Sequence, residues 1–331
     1  MSKKLSIIVP VYNMAAEGKL NYCLDSLVGQ TIRGMYDYEI LCVDDASTDE
    51  TRAYLKGIKD TRIKPVFITP EESKGGNYAR NRGIQASNGE FLAFLDDDDE
   101  WFPTKLEKQL ALFEDPEVGL VFCGHIDVYD YRNMMVKVTP ADDQQGDLSQ
   151  FVFKFIFCTT SMMMVRKSLM LQIGCFDENI RFWQEYDVCI RLCQITKVAF
   201  VKEPLMLLRH NISDKHRLTN KFDGWVQAVR YQNHKYKDLI ADLPEQYKWD
   251  RKLMIYIDAA KRCENAGDRK RQHFYLKKIA EMTHLRIDYV RYFGNIGFFV
   301  WDKLRYRCLP VLEKITKKKR DAFIDSYDAY L

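Results

Sequence analysis

Four short apolar runs, at residues 5–11 (LSIIVPV), 38–43 (YEILCV), 63–68 and 90–95, alternate with segments of helical spacing over the first 113 residues. Each run has the length and β-branched content of a buried strand. The first intervening segment, 20–30, places Leu20, Cys23, Leu24 and Leu27 on one helical face. Further helices are predicted at 51–58, with Thr48 or Asp49 as cap, at 76–86, and at 105–113 after Pro103. Strand–helix alternation at this pitch predicts βαβ units and an α/β fold around a mainly parallel central sheet. Ligands bind such sheets outside the carboxyl ends of the strands. The residues directly after each run therefore carry the functional information.

After the first run the chain reads Pro10-Val11-Tyr12-Asn13, without the glycines of a dinucleotide fingerprint, and no G-x-x-x-x-G-K-[ST] occurs anywhere. The second run ends in Asp44-Asp45, and the fourth in Asp96-Asp97-Asp98-Asp99-Glu100. Two unit charges about 5 Å apart repel by roughly 3 kcal/mol at an effective dielectric near 20. Exposure to water, raised pKa values or a bound divalent cation would relieve that repulsion. An isolated acidic run is most often a solvated turn, but two acidic sites at one sheet edge favour a shared function. Between them, residues 74–83 (KGGNYARNRG) enter a helix whose first amides could meet an anion, with Arg80 or Arg82 nearby.

Beyond residue 120 the rhythm changes. A short apolar run at 120–123 precedes a polar, turn-rich stretch at 130–147 that reads as a loop able to cover a site. Strands are predicted at 151–157, 161–165 and 197–201, with a helix at 184–193 between the last two. From about residue 215 the pattern is helical only, with amphipathic segments at 225–236, 247–265 and 269–283. This divides the chain into an α/β region, 1–214, and a helical region, 215–331. The nine cysteines are scattered without a C-x-x-C pair, and Cys189 and Cys193 fit buried thiols on a helix. There is no leader pattern and no apolar stretch near the ~20 residues that span a bilayer, so a cytoplasmic, reduced protein is expected.

Four segments in order, Ser6–Asn13 (SIIVPVYN), Val43–Asp49 (VDDASTD), Ala79–Gly83 (ARNRG) and Phe94–Asp99 (FLDDDD), closely resemble the ordered motifs of family 2 glycosyltransferases. The similarity covers about residues 3–212. It implies the GT-A fold, a nucleotide-diphospho-sugar transferase fold of α/β type, and inverting transfer from a nucleotide-sugar donor. Carried over by motif, Pro10, Tyr12 and Asn13 would line the nucleoside pocket, with Tyr12 near the base. Asp45 would bind the uracil edge with Asp44 supporting it, and Arg80 would sit at the nucleotide or diphosphate. Asp96-Asp97-Asp98 matches the D-x-D motif: Asp96 would face ribose or metal-bound water, Asp97 stands in the variable position, and Asp98 would ligate Mn²⁺ or Mg²⁺. Asp99 would orient or cap. The base position falls on Glu185, in Trp183-Gln184-Glu185-Tyr186-Asp187, where Gln184 replaces a frequent acid and Asp187 is the fallback. Trp183 would pack on an acceptor sugar. His210 would complete the metal shell, with Arg209 on phosphate and His216 and Arg217 as alternatives.

Residues 291–320 hold nine Lys or Arg against two acids, with apolar residues and aromatics at helical spacing and Pro310 as a break. A basic amphipathic helix of this kind fits an anionic membrane surface, which predicts peripheral association with the inner face of the cell membrane. Packing of the same face on the catalytic domain is the alternative. Nucleic acid is not an expected partner, because the basic residues do not line an aromatic groove. Oligomeric state is not legible. The expected function is metal-dependent transfer from a UDP-sugar to a glycan acceptor, a polyprenyl-linked oligosaccharide of capsule, O-antigen or another surface polysaccharide. A nucleotidyltransferase would show a Gly-rich loop after the first strand, a processive synthase a Q-x-x-R-W motif and a channel. An inactive sugar-nucleotide-binding or scaffold protein would not need the acids at 96, 98 and 185.

Overall fold

The computed structural model describes residues 3–15, 18–32, 36–129, 133–210 and 222–284. The first half has the predicted alternation: β1 (Lys3–Val11), α1 (Lys19–Val28), β2 (Tyr36–Asp44), α2 (Thr51–Gly57), β3 (Ile63–Phe67), α3 (Gly76–Ala86) and β4 (Phe91–Phe94). Then come β5 (Glu100–Trp101), α4 (Lys105–Ala111), β6 (Val118–Tyr129), β7 (Met134–Val138), β8 (Met164–Arg166), α5 (Lys167–Gln172), α6 (Gln184–Cys193) and β9 (Lys197–Arg209). Among the described residues these strands form one sheet in the order β3-β2-β1-β4-β8-β6-β9-β5, with β7 on β6. The first four strands are parallel. Beyond β4 the sheet is mixed: β8 is antiparallel to β4 and β6, whereas β6 and β9 are parallel. Ile7, Ile8, Ile40, Leu41, Leu92 and Phe94 are buried, as expected of strands covered on both faces. The eight cysteines among the described residues are all free, and Cys189 and Cys193 are buried.

The order 3-2-1-4 matters for the site. The chain builds β1, β2 and β3 outward in one direction and then returns to place β4 on the other side of β1. The carboxyl ends of β1 and β4 therefore flank a topological switch point, where a crevice opens in such sheets. Tyr12 comes directly after one of these strands and the acidic run after the other.

Three local expectations change. Residues 151–157 are not a strand: Phe151–Phe153 form a 3-10 turn and no ladder continues from it. Phe151, Val152 and Phe153 are all buried, and an unbroken apolar run carries no period by which a strand can be told from other buried chain. Only Met164–Arg166 of the predicted strand at 161–165 pairs in the sheet, because Thr160–Met162 turn to bring Ser161 under the acidic run. The stretch 130–147 is not wholly a loop, since Met134–Val138 runs antiparallel to β6, His125 opposite Val138. Strand β9 also runs on past residue 201 to Arg209. A bulge where Gly124 faces Pro204 lets the strand continue past a residue that cannot donate to the ladder. At α2 neither predicted cap holds: the N-cap is Glu50, without a side-chain cap bond, and Asp49 one residue earlier accepts the Thr51 amide at 2.9 Å.

Helix α3 lies close against β1 and β2 because Gly83 has no side chain. A Cβ there would come within 2.6 Å of Ile8 Cγ2 and 3.1 Å of Val43 Cγ2. Gly83→Ala is expected to cost about 1–3 kcal/mol through overpacking. It would be read as a lower urea midpoint at unchanged m-value.

The chain divides into two compact units, one of residues 1–152 and 156–213, the other of 153–155 and 214 onward. In the second, α7 (Phe222–Lys235), α8 (Lys237–Ala241), α9 (Glu245–Asn265) and α10 (Arg269–Thr283) are all helical. Tyr256 of α9 meets Tyr275 of α10 with ring centroids 5.8 Å apart, and Asp268 caps α10 by accepting the Arg271 amide. The basic segment 291–320, and His216 and Arg217, lie outside the described residues. Among the described residues no helix is long and apolar enough to cross a membrane.

Candidate active site

The two acidic sites flank the end of β1, each tied to it by hydrogen bonds. The amide of Tyr12 donates to Asp97 Oδ2 at 3.2 Å, joining the end of β1 to the acidic turn. Tyr12 itself is 55% exposed, as a ring offered to a ligand would be. Asn13 adopts a left-handed conformation (φ 54°) and clasps the loop after β2: its amide donates to Ser47 Oγ and its Oδ1 accepts from the Thr48 amide. Its side-chain oxygen thus holds the loop after β2 to the end of β1.

Asp44 and Asp45 have different environments. Asp44 is fully buried, paired with Arg52 at 2.8 Å, and accepts the Ser47 amide at 3.3 Å. It ties down the loop below. Asp45 is placed by its amide, which donates to the Val11 carbonyl at 2.9 Å. Its side chain is only 7% exposed, and its buried Oδ1 accepts no hydrogen bond. A buried carboxylate oxygen without a donor is costly, and such exceptions need a cause.

The acidic run is divided by its partners. Asp96 pairs with the buried Arg80 guanidinium at 2.5 Å. Arg80 Nε is also buried and has no hydrogen-bond partner. Asp99 is buried, accepting from Ser161 Oγ at 2.6 Å and from the Arg209 amide at 3.0 Å, while Glu100 pairs with the Arg209 guanidinium. Burial, and next the charge of Asp98, push the Asp97 and Asp99 carboxyls well above the usual carboxylate range. The repulsion expected from the sequence is thus present, and half-buried Asp98 lies between the two groups that feel it.

Glu185 occupies the first turn of α6 and is half-buried. The fallback, Asp187, is fully buried and bound by Arg191 of its own helix at 2.5 Å, a packing role. Trp183 is buried and enters the helix with φ 56°, a rare conformation for a bulky side chain. His210 follows β9 and is held against β6, its amide donating to the Val128 carbonyl at 2.8 Å. Its Nε2 meets Asp127 Oδ1 at 2.5 Å and its ring stacks on Tyr129. Burial opposes ionisation of Asp127, but hydrogen bonds from His125 and His210 outweigh it and hold the carboxyl at about 2. With Nε2 engaged, Nδ1 is the His210 nitrogen left for a ligand. Among the described residues no group of three or more His, Cys, Asp or Glu is arranged to hold a metal ion.

Sequence reasoning passed over Ser161, Arg52 and Arg209 as organisers. Ser161 accepts the Asp96 amide, donates to Asp99, and its carbonyl accepts Trp101 Nε1. It sits in an apolar stretch (TTSMMMV) that carries no signal of that task. The family resemblance implies phosphate for Arg209, whose guanidinium engages Glu100.

The chain is 26% identical over 309 residues to the amylovoran biosynthesis glycosyltransferase AmsB of Erwinia amylovora, spanning 85% of this chain and 97% of that one. It is 34% identical over 133 residues to UDP-Glc:alpha-D-GlcNAc-diphosphoundecaprenol beta-1,3-glucosyltransferase WfgD of Escherichia coli, covering 40% of this chain and 49% of that relative. The fold matches the crystal structure of S. aureus TarS 1–349 in complex with UDP-GlcNAc, with a TM-score of 0.54 at 16% identity over 87% of each chain. The profile of glycosyl transferase family 2 matches residues 6–174, just over half the sequence and including the ends of β1, β2 and β4 with the acids they carry. On that match the chain belongs to glycosyl transferase family 2 and is a glycosyltransferase of GT-A fold.

Proposed function

We propose that the protein is a metal-dependent inverting glycosyltransferase, with a UDP-sugar as donor and a lipid-linked glycan as acceptor in surface-polysaccharide synthesis. The observation that carries this reading is Asp45. Its buried oxygen lacks a donor, and its amide is bonded to the carbonyl of Val11, the residue before the exposed Tyr12. The uracil imide N–H is the donor such an oxygen would accept, while Tyr12 covers the base. The unpartnered Nε of Arg80, on the guanidinium that holds Asp96, suits a diphosphate oxygen. The relative WfgD supports both a uridine nucleotide and a diphosphoundecaprenol-linked acceptor.

The donor set fits a hard divalent cation. Mg²⁺-type sites use one or two carboxylates and complete their shell with water and substrate phosphates, so a third protein acid is not required. Asp98, with Asp96, would hold Mn²⁺ or Mg²⁺, and the bound ion supplies positive charge for the departing diphosphate. His210 is a further ligand only through Nδ1. Glu185 would take the proton from the acceptor hydroxyl as it attacks the anomeric carbon from the face opposite the leaving group. Donor and acceptor sites both fall within residues 1–214, and the basic segment 291–320 would rest on the anionic inner face of the membrane.

A donor screen tests the reading. Nucleotide release and thermal shift are measured with UDP-, GDP- and TDP-sugars, with and without Mn²⁺. The largest Mn²⁺-dependent response is expected from a UDP-sugar. No metal-dependent response to any nucleotide would refute it.

A further inference from the structure

One face of α3 holds two parts of the site at once. Asn77, Arg80 and Asn81 are spaced i, i+3 and i+4, which brings them to one side of the helix, and all three are buried. Arg80 reaches Asp96 on the acidic turn. Asn77 donates through Nδ2 to the carbonyls of Asp177 and Ile180, both at 2.8 Å. Asn81 donates to the Phe176 carbonyl at 2.9 Å and to Glu178 Oε1 at 2.8 Å, and its Oδ1 accepts the Phe176 amide at 2.9 Å. Two asparagines thus hold a five-residue loop that lies five residues before Glu185.

The loop is also clamped from its other end. Arg191 of α6 donates to the carbonyls of Ile173 and Cys175 while binding Asp187. Gly174 and Cys175 both have left-handed backbones, and Trp183 repeats that conformation at the entry to α6. Non-glycine residues persist in this region only where their surroundings over-determine them. Phe176 closes the arrangement, lying under the Arg80 guanidinium at 5.5 Å and edge-on to Phe94 at 5.3 Å.

We propose that Asn77 and Asn81 are positioning residues: they fix the 176–180 loop, and through it Trp183 and Glu185, to the helix whose Arg80 anchors Asp96. Acceptor activation is thereby held in register with the donor's diphosphate. The inference rests on the reading of Glu185 as the base. Asn81 acts on the geometry of the transfer and not on nucleotide affinity, whereas Asn77 Oδ1 also accepts from Arg80 Nη1 at 3.4 Å and so supports the guanidinium that holds Asp96.

The test uses the full chain, UDP as the binding probe with Mn²⁺, and nucleotide release from whichever UDP-sugar the parent turns over fastest. Asn81→Ala is expected to keep the UDP Kd within about twofold while lowering kcat at least tenfold; Asn77→Ala, which also loses a bond to Arg80, should lower kcat as much and raise the UDP Kd about two- to fivefold. Glu178→Ala removes one exposed partner and leaves the backbone bonds in place, so its kcat should fall only about two- to fivefold; it remains informative where an asparagine variant fails to fold. Parent-like kcat in the asparagine variants would overturn the proposal, as would a loss of UDP affinity as large as the loss of kcat. Glu185→Gln is measured beside them. Parent-like release by Glu185→Gln overturns the base reading itself. An inactive Glu185→Gln beside parent-like asparagine variants overturns only the positioning role.

Discussion

Glu185→Gln is expected to lower the transfer rate by about a thousandfold while leaving UDP affinity within about twofold, since a positioned general base contributes roughly 10²–10⁴ to a rate. The substitution keeps the shape of the side chain and removes only the ability to take a proton. Glu185 belongs to α6, whereas the acids placed at the nucleotide come after β2 and β4, so affinity and rate should separate. Asp187 cannot readily substitute for it, being fully buried in an ion pair with Arg191. Calorimetric titration with UDP and Mn²⁺, beside nucleotide release in the presence of acceptor, reads both quantities. Equal turnover by the variant and the parent would remove Glu185 from the mechanism.

The second large effect is expected at Asp98. Asp98→Asn keeps the volume of the side chain and removes a charge, so metal-dependent donor binding should weaken by at least tenfold, on the order of the 10–100-fold lost when the surroundings of a metal site are disturbed. Asp99 provides the contrast within the same run. It accepts from Ser161 and from the Arg209 amide, so its replacement should lower stability ahead of metal affinity. Titrating Mn²⁺ against UDP-sugar binding separates the two. A variant at 98 with the parent's Mn²⁺ dependence would assign the ion elsewhere or to no role.

Much of the architecture was legible because it is local. Helix α3 at 76–86, α6 at 184–193 and α10 at 269–283 have the bounds their periodicity predicts, since an amphipathic pattern is written in neighbouring residues. The strands of the first half were legible for the same reason. What failed was apolar without period, as at 151–157, or depended on a distant partner, as at Met134–Val138, which becomes a strand only because β6 offers it an edge.

The site divides along the same line. The sequence by itself placed acids after β2 and β4 and an arginine on the helix between them. Residue order decides that, since the residues directly after a strand must emerge at its carboxyl end. Only the tertiary structure decided which acid is paired and which keeps an oxygen free of donors. Asp44 is consumed by Arg52, Asp187 by Arg191 and Asp99 by Ser161 and Arg209, whereas Asp45 keeps a buried oxygen without a donor. These carboxylates are chemically alike and are distinguished by burial and by hydrogen-bond partners from 3 to 110 residues away along the chain. Ser161 and Arg209, 62 and 110 residues from Asp99, meet it only once the sheet is assembled.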